Sequence, residues 1–247
     1  LGAPPVHGVM WLINSRGTFK CWDRETGATY MSFETNADDM ISETTMNAMM
    51  FLDGKIYVAA DSDGVRVVDL LRDTGYAFDT TGFSVYNGDV SERNDGSGIT
   101  LLDPAIALAN ATVYDIDAVR DRFGRVDEFG RPVHWWAEAS DDAANGRLSV
   151  YNARDNAIYD SSQTVRFRSV AISPVTGQVF AGEVSAAESI NDYGPIWSID
   201  ADSFAVINPL SVTSAPETLD GDPNALALLP GRSAARKGGD LIVAGTV

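Results

Sequence analysis

The chain of 247 residues carries 35 Asp and Glu against 18 Lys and Arg, a net charge of −17. A field of that sign opposes nucleic-acid backbones and acidic membrane surfaces as partners, and no apolar run approaches the roughly 20 residues of a helical membrane span. Hydrophobic residues make up 45% of the sequence, which argues against disorder and suffices for one all-β domain or two smaller ones.

Residues 1–7, with Pro4 and Pro5, read as an extended linker. Residues 8–14 and 18–23 pair as a hairpin, and a turn at Arg24-Glu25-Thr26-Gly27 leads into a strand over 28–33. The one cysteine, Cys21, has no partner for an internal disulfide, and beside Trp22 on a strand it reads as a small core residue. The acidic stretch 34–45 is a loop.

The most informative stretch follows, over 47–69. Residues 46–52 are apolar enough to be buried on both faces. Asp53-Gly54 is a two-residue hairpin signal, because glycine takes positive φ at no steric cost. A second strand covers 55–60, and Asp61-Ser62-Asp63-Gly64 turns the chain again. The third strand puts Val65 and Val67 on one face and Arg66 and Val68 on the other. A fourth is expected near Tyr76–Phe78. Four antiparallel strands in one run are the meander of a β-propeller blade.

That unit repeats. Asn47-Ala48-Met49-Met50 in the first strand is matched by Tyr114-Asp115-Ile116-Asp117, Arg168-Ser169-Val170-Ala171 and Asn224-Ala225-Leu226-Ala227. Ile56-Tyr57-Val58-Ala59 in the second is matched at 133–137, 179–182 and 241–245. The expected fold is therefore an all-β propeller of four-stranded antiparallel blades over 8–247. About five units fall at 8–45, 46–80, 112–160, 165–208 and 224–247, with 81–111 an insertion. Asn145-Gly146 is a further hairpin signal, and 186–193 and 231–239 read as loops. Residues 8–23 look like strands two and three of a blade without its first, and the last residues stop after a second strand. A segment of a longer polypeptide is expected, or a ring closed by strands from both ends.

For nucleophilic catalysis the residues make no case. The two histidines are His7 and His134, the latter inside a strand where packing explains it, and no G-x-S-x-G, H-E-x-x-H or phosphate-loop pattern occurs. Paired carboxylates for glycoside hydrolysis obey no linear spacing; Glu128 and Glu138 stand out because Phe129, Trp135 and Trp136 crowd them. Hard oxygens on turns make Asp61, Asp63, Asp89, Asp95, Asp200 and Asp202 candidate calcium ligands, although Asp favours turns without any ion. No other cofactor is indicated. Trp135 and Trp136 are candidate sugar-stacking residues, but in a strand they point to opposite faces, and core packing between blades is the alternative.

The sequence A-T-V-Y-D-I-D-A-V at 111–119, D-E-F-G-R-P-V-H-W-W-A-E-A-S-D at 127–141, N-G-R-L-S-V-Y at 145–151 and V-R-F-R-S-V-A-I at 165–172 resembles repeats in large virion proteins of tailed phages. The resemblance covers about half the chain. It departs from the pattern at 140–146, where the turn after the second strand is longer. It implies propeller-like domains of tail-fibre or tail-tip proteins, which often sit beside lectin-like domains. The function implied is a non-enzymatic structural and adhesive virion component. Its partners would be other tail proteins, copies of itself and a host surface receptor such as a glycan, with avidity through multiple copies. The family carries no catalytic residues over. Two other readings remain open: a secreted or periplasmic cellular propeller binding a peptide or glycan, and a carbohydrate-active propeller enzyme with carboxylates and aromatics converging at the channel mouth.

Overall fold

The computed structural model describes residues 9–14, 18–23, 25–34, 46–72, 74–86, 99–121, 123–141, 146–153, 156–161, 166–183, 196–200, 206–210, 223–229 and 241–246, with side-chain surroundings confined to those within 25–29 and 46–182. The linker, His7, the loops at 35–45, 87–98, 186–193 and 231–239, and Asn145 lie outside the described residues.

Every regular element among the described residues is a strand, and every pairing between strands is antiparallel. The first sheet is β1 (Val9–Asn14), β2 (Thr18–Asp23) and β3 (Thr29–Glu34). The second is β4 (Met46–Leu52), β5 (Lys55–Ala60), β6 (Gly64–Asp69), β7 (Thr74–Asp79), β8 (Gly82–Tyr86) and β9 (Ile99–Asp103). The third is β10 (Val113–Arg120), β11 (His134–Ser140), β12 (Leu148–Asn152) and β13 (Ala157–Asp160). The fourth is β14 (Phe167–Ile172), β15 (Gln178–Glu183), β16 (Ile196–Asp200) and β17 (Val206–Leu210). The fifth is β18 (Pro223–Leu229) with β19 (Leu241–Thr246). Each is a meander in which neighbours in sequence are neighbours in the sheet.

Local chemistry sets these elements. Asp53 and Gly54 take φ of 48° and 79°, both left-handed, as a primed two-residue turn requires, and Leu52 pairs directly with Lys55. The repeat inferred from sequence has a structural counterpart. In β4, β10, β14 and β18 the register slips by one residue near the start, and the unpaired residue is Asn47, Tyr114, Arg168 and Asn224 in turn. These four bulges fall on the four positions at which the sequence repeats align.

The sheets pack through their first strands: β4 lies against β10, β10 against β14 and β14 against β18, and β1 touches β4. Second strands also reach the next sheet, β5 to β10, β11 to β14 and β15 to β18. One core layer lies between the second and third sheets, where Tyr57, Val65, Val67 and Phe78 meet Val113, Ile116, Ala118 and Trp136. Another lies between the third and fourth, where Trp135, Ala137, Leu148 and Val150 meet Phe167, Val170, Ile172 and Val179. The third sheet is thus covered on both faces, which is why all seven residues of β11 are buried. Sealing a side chain such as Phe167 or Leu148 contributes about 1.5–3 kcal/mol.

Two expectations change. Among the described residues the sheets hold three, six, four, four and two strands, so the four-stranded unit is realised there only in the third and fourth. The insertion at 81–111 contains the added strands β8 and β9, which extend the second sheet outward, and residues 104–111 lead back, sealing Ile106 and Leu108 in the core. And β4 is not buried on both faces, since Phe51 is 51% exposed and Met49, Met50 and Leu52 line an open cavity.

Gly64 begins β6 at a φ of +77°, and a Cβ there would lie 2.2 Å from the Phe78 carbonyl oxygen. Gly124 has a similar φ of +68°, and a Cβ added there would meet nothing within 4 Å. Gly64→Ala should therefore cost at least about 3 kcal/mol and Gly124→Ala about 1–2 kcal/mol, the strain of left-handed backbone alone. Urea denaturation of both variants checks this, and equal losses would refute the steric cause.

Candidate functional site

Alternation along β5 places Lys55 and Tyr57 on one face, and alternation along β11 places His134 and Trp136 on the facing one. Where they meet, Tyr57 Oη lies 2.6 Å from His134 Nδ1, and His134 Nε2 lies 3.1 Å from Asp53 Oδ2. Burial pushes the Tyr57 phenol well up, so it donates to Nδ1, and the imidazole N–H on Nε2 donates to Asp53. Arg120 holds Asp53 from the other side, with Nε 2.6 Å from Oδ2 and Nη2 on Oδ1. That contact, ahead of His134, keeps the Asp53 carboxyl below its usual range. Burial outweighs Asp53 at His134 and lowers the imidazole.

Tyr57 and His134 of this hydrogen-bonded relay form one wall of a cleft of about 220 Å³ between the second and third sheets. Its other walls are aromatic. Trp136 stacks on Tyr151 at 5.3 Å and meets Phe78 edge-on at 5.1 Å, while Phe83 stacks on Phe78 and Tyr76 at 4.9 and 5.9 Å. Lys55 and Asp127 stand at its charged end. Behind them Arg131 bonds Asp127 and Asp69, Arg72 pairs with Glu128, and both guanidinium groups lie over the Phe129 ring.

A second cavity of about 800 Å³ runs along β4, β10 and β14. Asp115 and Asp117 line it with Met49, Met50, Leu52 and Val119, without an aromatic side chain. Both carboxylates reach across to β14: Asp115 Oδ2 accepts from the Val170 N–H at 2.9 Å and Asp117 Oδ2 from the Ile172 N–H at 2.7 Å. Each also accepts the following residue's N–H through Oδ1. Burial raises both carboxyls, Asp115 to about 6, against the pull of these amides.

The residues singled out in the sequence fall in different places. Trp135 sits in the core between the third and fourth sheets, with its Nε1 unpartnered among the described residues, and only Trp136 reaches the cleft. Glu128 and Glu138 are not brought together. Glu128 is exposed and ion-paired with Arg72, whereas Glu138 is wholly buried, accepts from Ser149 Oγ, and is pushed well up by burial. Asp63 pairs with Arg66 at 3.4 Å rather than converging with Asp61, and no group of three candidate metal ligands occurs among the described residues. Asp200 ends β16, described through backbone only. Asp89, Asp95 and Asp202 lie outside the described residues, as does the Cys21 side chain. The relay was not legible, because its partners lie 77 and 81 residues apart. The signal for Asp115 and Asp117 was present as an acidic alternation inside an otherwise apolar first-strand position.

No family model and no curated protein matches the sequence. Solved structures are similar at low identity. One is the computationally designed Ika8 protein, at 12% identity and a TM-score of 0.46 over 96% of this chain and 65% of that one. Another is an extracellular domain assigned to a one-component system of B. thetaiotaomicron, at 16% identity and a TM-score of 0.42 over 98% of this chain and 30% of that one. The chain spans less than two thirds of either structure.

Three outcomes are expected. Tyr57→Phe leaves Nδ1 of the buried His134 without its donor and should lower stability by about 1–3 kcal/mol. Because the folded His134 pKa lies below the unfolded value, the histidine's contribution is complete above about pH 6.5 and is lost as pH falls through the folded value. A His134→Gln variant should lack that part of the acid slope. Asp115 behaves in the opposite sense: its contribution is complete below about pH 3.8 and is lost as pH rises through about 6. Relative to Asp115→Asn, the parent should lose roughly 3 kcal/mol between pH 4 and 7.5. Denaturant titrations at both pH values measure it, and parallel pH curves would contradict the assignment.

Proposed function

We propose that the chain folds as β-propeller blades and acts as a non-catalytic binding and display module. One observation carries the fold part: the unpaired residues Asn47, Tyr114, Arg168 and Asn224 occupy equivalent positions in four strands that neighbour one another in series. First strands arrayed about a common axis have this relation, and a sandwich of two sheets does not.

The non-catalytic part is supported by how the carboxyl groups are engaged. Glycoside hydrolysis needs one acid and one base or nucleophile facing a common space. Asp115 and Asp117 share a cavity, but each is bound by two backbone amides that tie β10 to itself and to β14. Among the described residues the cavity also lacks the aromatic faces that grip a sugar. Glu138 has no route to solvent, and Asp141 is clasped by Arg166 and Arg168.

Placement on a phage tail, with other tail proteins and a host surface receptor as partners, rests on the sequence resemblance and is proposed on that ground. A secreted or periplasmic module is the competing placement. Class averages of the purified chain by electron microscopy should show radially arranged sheets, and antibodies against it should label the tails of intact particles. A two-layer sandwich in the averages would end the propeller reading. Label confined to a cellular envelope would end the virion reading.

A further inference from the structure

We propose that the cleft between the second and third sheets is a binding site for a single-ring carboxylic acid, held by Lys55 and Tyr76 at its polar groups and by aromatic faces along the ring. The site needs only these two sheets and is independent of where the whole protein acts.

Most polar groups lining the cleft already have their hydrogen bonds. The Tyr57 hydroxyl is on His134, and both His134 nitrogens have partners. The Tyr151 hydroxyl donates to Asn156 Oδ1 at 2.9 Å. The Asp127 carboxylate accepts from the Phe129 and Arg131 amides and from Arg131 Nε and Nη2 at 2.8–3.0 Å. What remains is of the donor type. The Lys55 ammonium, 21% exposed, has Asp69 Oδ2 at 4.0 Å, beyond hydrogen-bond range, and makes no hydrogen bond among the described residues. The Tyr76 hydroxyl receives a long 3.4 Å contact from Arg72 and donates to no acceptor among the described residues. Burial, chiefly, also lowers the Lys55 pKa, so its charge lacks the solvation a surface lysine has, and an anion would replace it.

A ligand for this space accepts hydrogen bonds at one end and offers apolar ring faces along its length. Tyr76, Phe83, Phe78 and Trp136 supply the faces. The volume of about 220 Å³ is below the range of drug-sized pockets and admits one ring with its substituents. A carboxylate accepts a charge-assisted bond from an ammonium and a second bond from a hydroxyl, and on one ring it fits the small volume. Among the described residues the charged end has three cations, Lys55, Arg72 and Arg131, against three carboxylates, Asp69, Asp127 and Glu128. The ring acid has two sources with the same chemistry: a uronic acid at the end of a glycan, or an arenecarboxylate.

Calorimetric titration of the full chain with methyl glucuronide, benzoate, and their neutral counterparts methyl glucoside and benzyl alcohol tests this. At least one acid should bind with Kd on the order of 1 mM or tighter, and its neutral counterpart at least about tenfold more weakly, as expected for loss of a charge-assisted contact. Lys55→Met should abolish the preference for the acid, Lys55→Arg should retain much of it, and Tyr76→Phe should weaken binding by a few fold. Near-UV circular dichroism confirms that each variant is folded. Preference for the glucuronide identifies the glycan source, and preference for benzoate the aromatic one. Binding by neither acid, equal binding of the neutral compounds, or acid binding unchanged in Lys55→Met would overturn the proposal; the last outcome would leave Lys55 as a counter-charge to Asp69.

Discussion

A sheet whose first strand has an open edge has a problem there: each N–H on that side needs an acceptor, or the fold bears the cost of burying it bare. This chain meets the need with side chains from the preceding sheet. Asp115 and Asp117, two residues apart on β10, reach the Val170 and Ile172 amides, two residues apart on β14. The spacing matches because both strands share a period of two. At the previous junction Asn47 Nδ2 donates to the Val113 carbonyl at 2.7 Å. Neighbouring sheets are thereby joined in register without forming one continuous sheet, and the apolar layers between them have a fixed alignment in which to pack.

That coupling has an electrostatic cost which locates it in the interior. A carboxylate accepting two amides would ordinarily ionise readily, yet Asp115 is lifted to about 6 because burial dominates. The same competition has a different outcome at Asp53, where the Arg120 contact prevails and the carboxylate stays charged. The His134 tautomer follows from this: a fixed negative charge on one side and a neutral phenol on the other leave the imidazole one proton to hold, on Nε2. The carboxyls of Asp53 and Asp115 are therefore shifted in opposite directions, and their surroundings decide which way.

Much of the architecture was written locally. Asp53-Gly54 specified its turn outright, and the alignment of Asn47, Tyr114, Arg168 and Asn224 identified the four bulged positions without any knowledge of bulges. The opposite orientations of Trp135 and Trp136 followed from strand periodicity alone and place them in separate core layers. What was not legible depended on how sheets face one another. Nothing near Tyr57 announces His134, because their contact exists only once two meanders are stacked. Glu128 and Glu138 looked paired since aromatic residues lie between them in sequence, but the short run of loop and strand that separates them carries them to opposite environments. The extent of β8 and β9 was obscured by the polar stretch between them, and the exposure of β4 by its apolar composition, which the cavity beside it tolerates.

The six-stranded second sheet shows where this architecture can lengthen. Its two additional strands were appended at the rim farthest from β4, and the chain still returns through residues 104–111 to begin β10 beside β4 as though nothing had intervened. Growth at the outer edge of the second sheet leaves the first-strand contacts undisturbed. A scaffold of this kind can acquire new outward-facing material, unit by unit, while the packing that holds it together stays the same.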